Sequence, residues 1–214
     1  ADMTTAVAVS PMGDVVALAG TDHLVGLLKL DAAGRKLSPL HTLTDHSRPV
    51  LAVTFSPDGR LLVTASADRS IKVWDAASGK LQRSFSHHTD IVHCLSFRPR
   101  TVVDGRAIPF YCASGSDDKT VRVWQPEIGR MVRIVRSHEG PVFAVAYSRD
   151  GARLFSTGKE GVIRVIDADS DEILHHWPAH GDWIYALALS PDGNTLASGD
   201  WTGGVKLWNV NGTQ

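Results

Sequence analysis

The segment Ser66-Ala67-Asp68-Arg69-Ser70-Ile71-Lys72-Val73-Trp74-Asp75 decides how the rest of the chain is read. A polar turn leads into a short run in which apolar and polar residues alternate, the mark of a strand with a buried face. The ending Ile71-Lys72-Val73-Trp74-Asp75 returns as Val121-Arg122-Val123-Trp124-Gln125 and as Val205-Lys206-Leu207-Trp208-Asn209. Trp124 and Trp208 are 84 residues apart, twice a spacing of 42, so a further copy is due at position 166. Val162-Ile163-Arg164-Val165-Ile166-Asp167 stands there with isoleucine in place of tryptophan. A fixed period of this length points to a repeat architecture.

Working outward, His46, His88, His138 and His180 each open a repeat, separated by 42, 50 and 42 residues. An apolar run follows each histidine, as in Val50 to Phe55, Val142 to Tyr147 and Ile184 to Leu189. Next comes a turn of the type Ser56-Pro57-Asp58-Gly59, in which proline presets its backbone angle and glycine accepts a positive φ. A second strand is expected at Leu61 to Ser66, Leu154 to Thr157 and Thr195 to Gly199, and the third ends at the tryptophan position. A more polar fourth strand is expected at Leu81 to Phe85, Met131 to Val135 and Ile173 to His176. Four short strands per repeat make the chain all-β.

The repeats are placed at about 1–45, 46–87, 88–137, 138–179 and 180–214, as one domain. The 50-residue repeat carries an insertion beginning at Arg98, read as a surface excursion or a contact arm. The first repeat is worn: Val7 and Val15 to Gly20 fit the first two strands, but no histidine precedes them and Leu30 ends the third. Terminal repeats lack one neighbour and are commonly atypical.

Composition fits an ordinary globular domain, with 43% hydrophobic and 21% charged residues among 214. Twenty-two basic against 23 acidic residues leave a formal charge of -1, so no global field draws nucleic acid or an anionic membrane, and neither is expected as a partner. No apolar run is long enough for a membrane-spanning helix. Ala1-Asp2-Met3-Thr4 lacks the regions of a signal peptide, and Met3 is not the first residue, which suggests trimming, processing or an added leader. Cys94 and Cys112 form neither a disulfide framework nor a metal spacing; as buried thiols they favour a cytoplasmic setting.

These motifs resemble the WD-repeat family, whose fold is a β-propeller. The resemblance implies about five four-stranded antiparallel blades, the last without its outer strand, since only six residues follow Trp208. It also implies a hydrogen-bonded tetrad of His, Ser or Thr, Asp and Trp in each blade. The sets are His46, Thr64, Asp68, Trp74 and His88, Ser114, Asp118, Trp124. The fourth repeat keeps His138 and Ser156 but has Glu160 and Ile166; the fifth keeps His180, Ser198 and Trp208, with Thr202 at the Asp position.

A recurring His, hydroxyl and Asp resembles nucleophilic machinery, yet its repetition beside a tryptophan is what a structural network requires, so no catalytic role is expected. No cofactor or metal site is expected either, because the ten histidines follow the repeat and share no ligand spacing. The resemblance implies a non-catalytic scaffold that binds a peptide or protein on the propeller face. A sensor or substrate-docking propeller of a larger enzyme or signalling protein is the second reading. The face positions expected to meet a partner are Trp183, Tyr185, Trp201, Phe143, His93, Leu51, Lys159 and Asp117. Trp and Tyr are enriched at interface hot spots. Five blades fall short of the family's usual seven, so a second copy or a longer parent chain is expected to complete the ring.

Overall fold

Alternation of apolar and polar residues gives each repeat two usable faces, and the repeats fold into sheets that stack face to face. The computed structural model describes residues 3–31, 33, 36–99, 102–103, 106–107 and 109–210. Blade 1 holds β1 (Thr4–Val9), β2 (Val15–Gly20), β3 (Val25–Leu30) and β4 (Leu37–Leu43). Blade 2 holds β5 (Val50–Phe55), β6 (Leu61–Ser66), β7 (Ile71–Asp75) and β8 (Leu81–Phe85). In blade 3, β9 (Val92–Phe97) is followed by a small hairpin, β10 (Val102–Val103) and β11 (Arg106–Ala107), then by β12 (Cys112–Ser116), β13 (Val121–Gln125) and β14 (Arg130–Val135). Blade 4 is β15 (Val142–Tyr147), β16 (Arg153–Gly158), β17 (Val162–Asp167) and β18 (Ile173–Pro178). Blade 5 is β19 (Ile184–Leu189), β20 (Thr195–Asp200) and β21 (Val205–Asn209).

Each blade is a wholly antiparallel sheet in simple meander order, four-stranded in blades 1 to 4 and three-stranded in blade 5. In blades 1, 2, 4 and 5 the first turn is closed by its own side chains. Ser56 Oγ donates to Asp58 Oδ1 at 2.6 Å, Leu61 N donates to Ser56 Oγ at 2.9 Å, and Gly59 takes φ 74°.

The core lies between blades. One layer joins Val25, Leu27 and Leu43 of blade 1 to Val50, Leu62 and Trp74 of blade 2. The next joins Ile71, Val73 and Phe85 to Val92, Cys112 and Trp124. A third joins Val121, Val123 and Val135 to Val142, Tyr147 and Ile166, and a fourth joins Ile163, Val165 and Trp177 to Ile184, Leu196 and Trp208. Every residue of β6 and β12 is buried because a neighbouring blade covers each face. First strands pack β1 on β5, β5 on β9, β9 on β15 and β15 on β19.

Several strand readings need correction: β16 runs one residue beyond the expected Leu154 to Thr157 at each end, and β20 one residue past the expected Gly199. β4, the fourth strand expected of blade 1 but given no bounds from the sequence, forms at Leu37–Leu43: Pro39 and a largely exposed pattern hide its limits, and only Leu43 is buried. β14 begins at Arg130, one residue before the expected Met131. β18 runs on to Pro178, which puts Trp177 against Trp208 with ring centroids 5.8 Å apart. At the root of the insertion Arg98 is buried and grips Asp169 of blade 4 through two bonds of 2.7 and 3.1 Å. Residues 100–101, 104–105 and 108 of the insertion lie outside the described residues.

Candidate functional site

In blade 2, His46 Nδ1 lies 2.8 Å from Asp68 Oδ2, and His46 Nε2 lies 2.7 Å from Thr64 Oγ1. Trp74 Nε1–H donates to the same hydroxyl at 3.0 Å. An ionised carboxylate only accepts, so the His46 proton sits on Nδ1, and Nε2 accepts from the threonine. Blade 3 repeats the arrangement: His88 to Asp118 at 2.7 Å, His88 to Ser114 at 2.8 Å, and Trp124 to Ser114 at 2.8 Å. Burial pushes the Asp68 and Asp118 carboxyls up, but their hydrogen bonds outweigh it: His46 and Ser70 for Asp68, His88 and Thr120 for Asp118. Both acids lie well below the usual range.

Blade 5 differs from the reading that put Thr202 at the acid position. Thr202 Oγ1 instead donates to Asp200 Oδ1 at 2.8 Å, and Asp200 Oδ2 lies 2.6 Å from His180 Nδ1. The acid is supplied two residues early, and the set continues through Ser198, 2.7 Å from His180 Nε2 and 2.8 Å from Trp208 Nε1. The Thr202 hydroxyl, the Gly204 amide and His180 hold the Asp200 carboxyl down at about 2.

Blade 4 is wired the other way round. Arg164 Nη1, which only donates, lies 3.0 Å from His138 Nδ1, so His138 Nδ1 accepts and its Nε2–H donates to Ser156 Oγ at 2.8 Å. Ile166 offers no competing indole donor, and Glu160 pairs with Arg164. Burial lowers the His138 pKa, keeping the ring neutral.

These networks lie within the blades; the surface at one end of the propeller is set by a repeated bulge. In each first strand one residue is skipped by the ladder: Thr5, Leu51, His93, Phe143 and Tyr185. A bulge re-aims its side chain. Backbone bonds Ala67 N to Pro49 O, Asp117 N to Ile91 O, Lys159 N to Pro141 O and Trp201 N to Trp183 O bring the following turns to the same end. The bulges of blades 3 to 5 carry a connected run of rings. His93 meets Phe143 edge-on at 5.1 Å, Phe143 stacks on Tyr185 at 4.4 Å, and Tyr185 lies 5.5 Å from Trp201. Trp183 lies 5.9 Å from Phe143 and carries Lys159 Nζ 5.0 Å from its ring centroid.

His93 Nε2 is 2.7 Å from Asp117 Oδ1, which closes the run at its blade-3 end. Leu51 holds the equivalent bulge in blade 2 and is half-buried. Trp201 is 71% exposed, and Trp183 and Tyr185 are 38% and 40% exposed, so this is an aromatic surface facing solvent. Burial, then the negative charges of Asp117 and Asp182, push the Tyr185 phenol pKa up. Among the described residues no group of three or more His, Cys, Asp or Glu side chains is arranged to hold a metal ion.

A family model described as the fourth β-propeller of WDR90 matches residues 49–180. The chain belongs to the WD-repeat β-propeller family. A second model, WD domain, G-beta repeat, matches residues 171–209. Apoptotic protease-activating factor 1 of Rattus norvegicus is 30% identical over 170 residues, covering 79% of this chain and 13% of that protein. COMPASS component SWD3 of Saccharomyces cerevisiae is 29% identical over 166 residues, 74% of this chain and 49% of that protein. Nuclear distribution protein nudF of Aspergillus niger is 29% identical over 175 residues, 81% of this chain and 38% of that protein. The chain thus spans half or less of the length of these relatives. Membership of the WD-repeat family supports a general role as a protein-interaction scaffold.

Proposed function

We propose that this WD-repeat chain is a non-catalytic scaffold that binds a peptide or protein segment across Trp183, Tyr185 and Trp201. Phe143, His93 and Leu51 extend the apolar track, while Lys159 and Asp117 set charge at its margin. The observation that carries this reading is the unbroken, solvent-facing series of rings from His93 to Trp201. Such side chains give large contact area at low entropic cost, and isolated surface rings would not line up across three blades.

The test is a displayed random-peptide library selected on the whole chain, with enriched peptides re-measured on Trp201→Ala and Tyr185→Ala. A hot-spot ring contributes about 2 kcal/mol, so each variant should weaken the selected peptides roughly 30-fold while its thermal melt stays unchanged. Peptides that bind the variants as well as the wild type would remove the site from these rings. A docking propeller within a larger chain is the second reading, favoured by the 13% of apoptotic protease-activating factor 1 that this chain spans. Peptide binding by the isolated chain is expected under both.

A further inference from the structure

The fourth strand of a blade reaches across to the next blade from one ladder position. His41, Arg83 and Arg133 stand there, opposite Leu27, Val73 and Val123 of the third strands. Arg83 Nε and Nη2 donate to Glu127 O of blade 3 at 3.1 and 3.0 Å, and Arg133 Nη1 donates to Ala168 O of blade 4. Between blades 1 and 2 the same reach is made by His41, whose Nε2 lies 2.8 Å from Ala77 O. The imidazole is shorter than an arginine arm and fills less of the gap. At this junction a cavity of about 420 Å³ opens, a size that suits a ligand.

The cavity is apolar inside and acidic in its charge. Phe55 and Ala76 of blade 2 are buried in its floor, and Val15, Leu40 and Met12 of blade 1 form the opposite wall. Three carboxylates also line it, Asp14, Asp58 and Asp75, against a single cation, Arg60. That guanidinium is already engaged, with Asp58 and, at 3.4 Å, with Glu127. Ser10 Oγ donates to Asp14 Oδ1 at 2.7 Å and Ser78 Oγ to Asp75 Oδ1 at 2.6 Å, which fixes both carboxylates and leaves them capacity to accept further donors. The Ser78 hydroxyl and amide hold the Asp75 carboxyl below the usual range, so it is charged at neutral pH.

We propose that this cavity receives an apolar side chain from a segment of a partner protein, and that a lysine or arginine beside it in that segment meets Asp14 and Asp75. Charge complementarity argues the occupant: an apolar floor with an excess of fixed carboxylates selects an apolar group that carries a cation. A protein segment follows from the general scaffold role of the WD-repeat family. Both walls belong to blades already joined by one buried layer, Val25, Leu27 and Leu43 against Val50, Leu62 and Trp74. The cavity is separate from the aromatic run, because Phe55 and the turn after it lie at the far end of β5 from the bulge at Leu51.

The experiment selects a displayed random-peptide library on the whole chain carrying Trp201→Ala with Tyr185→Ala. The aromatic run is then disabled, and failure of one site is read separately from failure of the other. Enriched peptides should place arginine or lysine next to a large apolar residue. In fluorescence anisotropy, adding Leu40→Arg, which puts a cation into the cavity, should abolish their binding. Asp14→Asn with Asp75→Asn should weaken binding about 10-fold and flatten its dependence on salt. Asparagine keeps the acceptor oxygens that Ser10 and Ser78 use, and thermal melts confirm that each variant is folded. The proposal is overturned if no peptide is enriched, if the enriched peptides lack a basic residue, or if either set of variants leaves their binding unchanged.

Discussion

Ser114 Oγ serves two buried partners at once: it accepts from Trp124 Nε1 and donates to His88 Nε2, both at 2.8 Å. Ser156 in blade 4 serves His138 alone, because Ile166 replaces the indole. Leaving a buried polar group without its partner costs about 1–3 kcal/mol. Ser114→Ala should therefore destabilise by about 3 kcal/mol and Ser156→Ala by about half as much, read from urea unfolding. Equal losses would show that the indole bond contributes nothing. Most of the network residues were implied by the family resemblance, carried from blade to blade on a repeating spacing, from His46 to Thr64 as from His180 to Ser198. Asp200 was not, since its carboxylate reaches His180 from a position two residues before the one that Asp68 occupies. Side-chain reach, rather than register, settled that acid.

Protection of an element depends on its covered faces and its paired edges. β6 and β12 have both, with every residue buried and a strand hydrogen-bonded on each side. Among the described residues β21 has a strand partner on one side only, and Val205, Leu207 and Asn209 are exposed. In native-state hydrogen exchange the amides of β6 and β12 should be the slowest in the chain and those of β21 among the fastest of any strand. Equal protection in β21 would mean that its free edge is covered in solution. The strands of the strong repeats could be read from alternation alone, and β5, β6 and β8 keep their expected bounds. β4 could not: its burial comes from one residue, Leu43, docking on blade 2, a contact that no local pattern records.

Across the whole molecule the buried histidines and acids give stability a definite dependence on pH. Burial lowers the pKa values of His88 and His138 below the 6.5 of an exposed histidine, so the unfolded chain takes up protons that the folded chain refuses. Their contribution is complete above about pH 6.5 and declines as pH falls through the folded values. Asp68, Asp118 and Asp200 lie below the ordinary 3.8, and Glu160, where burial is outweighed by the Gly140 amide and the Arg164 guanidinium, is held at about 2 against 4.5. Their contribution is present above the unfolded values and is lost as pH falls through the folded ones. Thermal melts from neutral pH downward should therefore show a first loss of stability below about pH 6.5 and a steeper one below about pH 4. A stability maximum in the acid range would contradict the neutral, buried state of these histidines.

The sequence by itself determined the β class and the number of repeats, because these follow from periodicity and spacing. Only the tertiary structure decided that the core consists of layers between blades, that Trp177 and Arg98 bind neighbouring blades, and that His138 carries its proton on the opposite nitrogen from His46. Each of these depends on what a side chain meets on the next sheet, and the one-dimensional pattern specifies which face a residue takes but not which atoms face it there.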